Sequence, residues 1–192
     1  MGIRITGGIY KGRTIALAKD ERTRYTSGKV REAIFNFVGE VTEQSVLDLY
    51  AGAGSFTCEA LSRGAASVTS VEKNANTAAQ LKNNLRSLSL YKRCLVLNMD
   101  VRYAVPMLAR QRKMFDLIFV DPPYEMGYIA STADLLMKNR IYHPDSIIVF
   151  EHSKREEFQD LPEAGHKMKT RRYGDTVLTI IRCEGSETER EE

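Results

Sequence analysis

Along the chain, short β-prone apolar runs alternate with longer stretches in which apolar residues recur every three or four positions. The runs lie at 45–49, 67–71, 94–97, 115–120 and 146–150. In the fourth, Leu117 to Val120 are apolar without alternation, as in a strand buried on both faces. Helices are expected between them, at 56–63, at about 75–88 with Ala78, Leu81, Leu85 and Leu88 in helical register, at 103–110 and at 129–138. Strands separated by helices of about 10 residues imply a parallel sheet covered on both faces. Near the C-terminus the pattern changes, because 167–173 and 176–182 flank Gly174-Asp175, a hairpin signal. Near the N-terminus, 3–6 and 14–17 bracket the glycine-containing turn Gly7-Gly8-Ile9-Tyr10-Lys11-Gly12-Arg13. Thr26 or Ser27 can then cap a helix to about Glu40, with Val30, Ala33, Ile34, Phe37 and Val38 on one face. The expected fold is α/β and Rossmann-like: a seven-stranded, mostly parallel sheet with a C-terminal antiparallel hairpin, after a small N-terminal hairpin and helix. We expect an appendage over 1–43, a main domain over 44–183 and a disordered acidic tail over 184–192.

Composition narrows the class. At 192 residues the chain suits one domain with a sizeable core. It has no apolar run near the roughly 20 residues of a membrane span and no signal-like start. Gly2 with Thr6 fits a loose myristoylation pattern, which we read as coincidence because no second membrane signal follows. Cys58, Cys94 and Cys183 are scattered, so neither disulfides nor zinc are expected, no metal site is foreseen, and a cytoplasmic protein is the reading. Net charge is only +3, but residues 1–31 hold Arg4, Lys11, Arg13, Lys19, Arg22, Arg24, Lys29 and Arg31 against Asp20 and Glu21. Such a basic end resembles a phosphate-binding arm; a solvated basic surface is the alternative.

The candidate chemistry sits at strand ends. The run 115–120 stops at Asp121-Pro122-Pro123-Tyr124, since proline gives the ladder no donor. A carboxylate, the Pro122 carbonyl and a stacking ring suit an exocyclic amino group or amide, whose lone pair is delocalised. Two acceptors on its N–H bonds free that lone pair for a methyl donor, and Tyr124 can hold the planar group in place. A plain strand-ending turn is the alternative. Asp48-Leu49-Tyr50-Ala51-Gly52-Ala53-Gly54-Ser55 is a glycine-rich strand-to-helix turn, with Thr57 where a third glycine would stand in a dinucleotide fingerprint. Glu72 ends the next strand, where a carboxylate accepts ribose hydroxyls, and Asp100 follows the third. Tight turn, helix start and helix cap are the respective alternatives.

Together with Arg24-Tyr25-Thr26-Ser27-Gly28-Lys29-Val30-Arg31-Glu32-Ala33-Ile34-Phe35-Asn36 and Tyr173-Gly174-Asp175-Thr176, these motifs resemble the RsmD family of S-adenosylmethionine-dependent guanine-N2 methyltransferases of 16S ribosomal RNA. The likeness spans nearly everything from Arg4 to Arg182, departing at Tyr25 and Gly28, where proline and an acidic residue are usual. It implies a class I methyltransferase fold and S-adenosyl-L-methionine as cofactor. That cofactor would be held by Asp48, Tyr50, Gly52, Gly54, Glu72, Lys73, Asp100, Val101 and Asp121. It implies catalysis by Asp121, Pro122, Pro123 and Tyr124, and RNA contacts from Arg4, Lys11, Arg13, Arg24, Thr26, Lys29 and Arg31. The partner would be 16S ribosomal RNA, free or within a small-subunit assembly intermediate, and the enzyme a monomer. An adenine-N6 methylase of DNA or RNA, and a non-catalytic ribosome-assembly factor, are the competing readings. His143, His152 and His166 lack ligand spacing, though His152 could border the pocket.

Overall fold

The computed structural model describes residues 2–17, 26–156, 158 and 166–183. The acidic tail and Arg24 lie outside the described residues. β1 (Gly2–Arg4) pairs antiparallel with β2 (Thr14–Ala16). Then follow α1 (Gly28–Val38), β3 (Ser45–Leu49), α2 (Ser55–Ser62), β4 (Ser67–Val71), α3 (Ala75–Ser87) and β5 (Cys94–Leu97). The second half comprises α4 (Val101–Arg110), β6 (Phe115–Val120), α5 (Tyr128–Asn139), β7 (Tyr142–Ser153), β8 (His166–Tyr173) and β9 (Thr176–Cys183). Side-chain caps start the helices where polar residues stand: Ser27 Oγ accepts from Val30 N, Asn74 Oδ1 from Asn76 and Thr77 N, and Asp100 Oδ1 from Arg102 N. The Asp100 cap is why α4 begins two residues before the apolar pattern suggests.

The larger sheet has seven strands in the order β5-β4-β3-β6-β7-β9-β8. Strands β3 to β7 are parallel, and β8 and β9 run antiparallel to each other. Chain order reverses between β3 and β6, so the loops at their carboxyl ends diverge and open a crevice. Alternate residues of β6 serve two cores: Leu117 and Phe119 join one, Ile118 and Val120 the other. In the first, Phe56 stacks between Phe35 and Phe119, at centroid distances of 5.0 and 4.0 Å.

Two features of the packing shape the site, the first of which departs from the sequence reading. β7 continues past Phe150 because Glu151, His152 and Ser153 still pair with Leu178, Val177 and Thr176 of β9 after β6 has ended. The small hairpin and α1 also share a core with the sheet, through Ile5, Ile15, Ile34 and Phe35 packed with Val46, Phe56 and Phe119. Polar links reinforce that packing. The buried Glu59 accepts from Thr6 N and Oγ1 at 2.8 and 2.7 Å and from Arg63 Nε at 2.9 Å. Asn84 of α3 exchanges hydrogen bonds with both backbone groups of Ala16 and also donates to Ala53 O. At Gly8, with φ +75°, a Cβ would lie 1.9 Å from Ser62 O, so only glycine lets the loop seat against α2.

Candidate active site

A cavity of about 960 Å³ opens at the carboxyl ends of β3, β4 and β6, at the point where strand order reverses. One half of its wall comes from the glycine-rich turn and the residue ending β4. Gly52 has φ +56°, and a Cβ there would meet nothing within 4 Å, so backbone faces open space beside the cavity. Its N–H donates to Glu72 Oε2 at 2.9 Å, while Asn74 N donates to Oε1 at 2.7 Å. The Glu72 carboxylate is therefore fixed at the rim with lone pairs to spare. Tyr50 Oη lies 2.8 Å from Thr132 Oγ1, and Lys73 Nζ sits 5.5 Å from the centroid of the Tyr128 ring. Asp100 lines the same wall and caps α4, and Val101 adjoins it. Hydrogen bonds from Arg102 hold the Asp100 carboxyl below its ordinary range.

Asp48 and Gly54 do not line this cavity. Asp48 is 1% exposed and accepts from Thr57 N and Oγ1 at 3.1 and 2.5 Å. It anchors the start of α2 from beneath the turn, and burial pushes its carboxyl up to about 7 despite those bonds. Thr57, in the place of a third glycine, is thus Asp48's partner. Gly54 takes φ +89°, a backbone conformation strained for other residues, and sits directly against Leu81.

The other half of the wall is built on the turn after β6. Thr26 Oγ1 donates to Asp121 Oδ2 at 2.7 Å, across 95 positions of sequence. Burial first, and the neighbouring Glu151 charge second, hold the Asp121 carboxyl well above its ordinary value, opposed by the Thr26 bond. Pro122, Pro123 and Tyr124 line the cavity with it. Tyr124 Oη donates to Glu151 Oε1 at 3.2 Å and lies 3.2 Å from Thr176 Oγ1, which fixes the ring's direction. Burial and the Glu151 charge raise that phenol further.

Several expectations need correction. Arg31 was assigned to RNA phosphate, but it is 1% exposed, donating to Thr26 O and Arg4 O at 2.7 Å each, with Glu59 Oε2 3.8 Å from Nε. Burial lowers its pKa. It is an internal strut that supports Thr26, and so Asp121. Its helical phase, three and four residues before the buried Ile34 and Phe35, was the available signal. Thr26, also assigned to RNA, is 6% exposed and serves Asp121. His152 does not border the pocket: it is 3% exposed, bonded to Ser153 O and Thr179 Oγ1, and desolvation lowers its pKa. Arg4, Lys11, Arg13 and Lys29 are exposed. Arg4 and Lys11 line a second groove of about 760 Å³, which shares Thr26 and Ser27 with the wall of the first cavity. The sequence reading missed Glu151, Tyr128 and Thr176. Glu151 was legible only as the residue after an apolar run.

Comparison with known proteins agrees with this architecture. The family described as Conserved hypothetical protein 95 matches residues 3–182. The Bacillus subtilis protein YlbH is 34% identical over 187 residues, covering 95% of this chain and 100% of that one. Ribosomal RNA small subunit methyltransferase D of Escherichia coli is 34% identical over 150 residues, covering 78% of this chain and 74% of its own. Among solved structures, the Escherichia coli protein yhhF superposes with a TM-score of 0.85 at 26% identity, over 97% of this chain and 100% of that one. The match over residues 3–182 and the identity to these relatives place this chain in the RsmD family.

Proposed function

We propose that this protein transfers a methyl group from S-adenosylmethionine to the exocyclic N2 of a guanine in 16S ribosomal RNA. The observation that carries the reading is the Asp121 carboxylate, tethered by Thr26 and flanked by Pro122 and Tyr124, in one cavity with Gly52 and Glu72. The names of the family relatives supply the polymer: they act on small-subunit ribosomal RNA. Residues present fit the cofactor, since the open backbone at Gly52 leaves room that a side chain would fill and Glu72 offers free acceptor capacity toward a ribose diol. Glu72 with Lys73 would hold the ribose, Asp100 and Val101 the adenine, and Tyr50 and Gly52 the amino-acid end. Bound there, the cofactor supplies an electrophilic methyl on a sulfonium.

The remaining work belongs to this chain. Asp121 and the Pro122 carbonyl accept the two N–H bonds of the guanine amino group, which frees its lone pair. Tyr124 packs on the base, which must leave its stack to enter. Thr26 restrains one carboxylate oxygen and leaves the other for substrate. On accepting the methyl group that the cofactor would supply, the guanine nitrogen would carry a positive charge and then lose a proton. Asp121, with its raised pKa, is well suited to take that proton. Arg4, Lys11, Arg13 and Lys29 contact phosphates and position the RNA without reading its sequence.

The test is transfer of labelled methyl from S-adenosylmethionine to 16S ribosomal RNA, free and in small-subunit particles, followed by nucleoside analysis. N2-methylguanosine is the expected product. N6-methyladenosine would overturn the choice of base, and absence of transfer to both substrates would overturn the partner.

A further inference from the structure

The last strand of the sheet carries charge of one sign. β8 reads His166-Lys167-Met168-Lys169-Thr170-Arg171-Arg172-Tyr173, with four cations and no carboxylate, and every residue from Lys167 to Tyr173 is exposed. It ends the strand order, and among the described residues nothing pairs with its outer edge. An edge strand needs charge to discourage further pairing, but either sign serves that purpose. Arg171 Nη1 donates to Thr170 O and Arg172 Nε to Gly174 O, at 3.0 Å each, bonds that orient the guanidinium groups without cancelling their charge. Among the described residues neither Lys169 nor Arg171 has an acidic partner, and the carboxylate of the adjoining turn, Asp175, is held by Lys154 at 2.6 Å.

Register gives this charge a direction. Lys169, Arg171 and Tyr173 oppose Ile180, Leu178 and Thr176 of β9, and directly opposed residues share a face. Leu178 and Ile180 belong to the core that also holds the N-terminal hairpin and α1, so the three side chains lie on that face of the sheet. Alternate residues stand about 7 Å apart along a strand. β8 runs parallel to β6, because β7 is parallel to β6 and both β7 and β8 are antiparallel to β9. Its carboxyl end therefore lies at the cavity, and Tyr173, 40% exposed, lines the wall there with Tyr124 and Thr176. Two cations in a row thus lead to an aromatic ring on the cavity wall, the combination that follows a single-stranded backbone and stacks on its bases.

Resting on the reading of this protein as an RNA methyltransferase, we propose that β8 is a second RNA-contacting surface, separate from the N-terminal basic residues. Lys169 and Arg171 take phosphates of the strand that flanks the target guanine, and Tyr173 stacks on a nucleotide beside it. The target base must leave its stack to reach Asp121, and the ring on the cavity wall gives its neighbour a surface to rest on when it does.

The test measures affinity for free 16S ribosomal RNA against salt, for the wild type, Lys169→Gln/Arg171→Gln, Tyr173→Ala and a control, Arg110→Gln/Lys113→Gln. The control removes the same charge from exposed residues of the segment that leads into β6, at the opposite end of the strand from the cavity. Loss of two contacts should lower the slope of log affinity against log salt by about 1.4, at about 0.7 per contact on a single strand, with no change in the control. Tyr173→Ala should keep the slope and weaken binding about tenfold. Affinity for S-adenosylhomocysteine and Tm should stay at wild-type values, which excludes a folding defect. A slope equal to wild type in the β8 variant, or a fall as large in the control, overturns the proposal. Loss of transfer to small-subunit particles with affinity for free RNA unchanged would assign β8 to a protein of the particle and overturn it as well. Methyl transfer to RNA by the wild type tests the parent reading separately. Its absence overturns that reading and this inference with it, whereas N2-methylguanosine formation beside an unchanged slope overturns this inference alone.

Discussion

Thr26, Asp121 and Glu151 converge from distant parts of the chain, and Thr26 and Glu151 act in opposite directions on the Asp121 carboxylate. Asp121 must be ionised to accept N–H bonds, yet burial and Glu151 favour its protonated form, while the 2.7 Å bond from Thr26 favours the charged one. The sign follows for activity: kcat/KM should rise with pH through the Asp121 pKa, at a midpoint above the usual carboxylate range. Thr26→Val removes the stabilising donor, so this acid limb should move to higher pH, with about a tenfold loss at neutral pH. Glu151→Gln removes the repelling charge and should move the limb to lower pH. A limb that stays in place in both variants would show that Asp121 is not the titrating group. Asp121→Ala should lower turnover by about a hundredfold to a thousandfold, the range for one preorganised group, and leave cofactor affinity intact in a binding titration. Asp48 makes a separate statement about stability. Its folded pKa of about 7 lies above the model-peptide value of 3.8, so its contribution is complete below about pH 4 and lost as pH rises toward 7. The difference is worth up to about 4 kcal/mol. Denaturant melts from pH 4 to 7.5 should show a shallower fall for Asp48→Asn than for the wild type.

The elements around the site are held by single polar residues at long range. Glu59 of α2 receives the hairpin through Thr6, α1 through Arg31 and its own helix through Arg63. Removing one member leaves buried charge unpaired. Glu59→Ala should therefore cost about 3–5 kcal/mol, with early proteolysis between β2 and α1 as the local readout. A variant cut at the wild-type rate would show that apolar packing alone seats the hairpin. β7 shows why element ends were the weak part of the sequence reading. Its apolar run ends at Phe150, but pairing continues to Ser153 because β9 offers partners that β6 does not. Glu151 reaches the cavity through that extension.

Over the whole molecule, the described basic residues near the N-terminus divide into four that meet solvent and one that does not. Arg4, Lys11, Arg13 and Lys29 are exposed and available to a polyanion; Arg31 lies inside. Replacing those four with Gln should lower the slope of log affinity against log salt by about 3, at roughly 0.7–0.9 per contact. Arg31→Gln should leave the slope unchanged and lower the melting temperature. A reduced slope in Arg31→Gln would reinstate it as a phosphate contact. The second groove, lined by the exposed Arg4 and Lys11, shares Thr26 and Ser27 with the cavity that holds Asp121.

The strand-and-helix alternation, the four strand ends and the Asp121 to Tyr124 turn were legible in the sequence. Each depends on local properties: hydrophobic period, proline's missing donor, glycine's freedom at positive φ. The same locality identified Gly52, Glu72 and Asp100. It could not separate Asp48, one residue deep in the sheet, from Glu72 at its rim, because both are carboxylates near a strand end. Nor could it tell Arg31 from Lys29, two cations in one basic stretch. Those distinctions depend on which side chains meet across 28 to 95 positions, as Arg31 meets Glu59 and Thr26 meets Asp121. Spacing along the chain carries no record of such meetings; burial and charge, which decide what a carboxylate or a guanidinium does, arise only when the chain has packed.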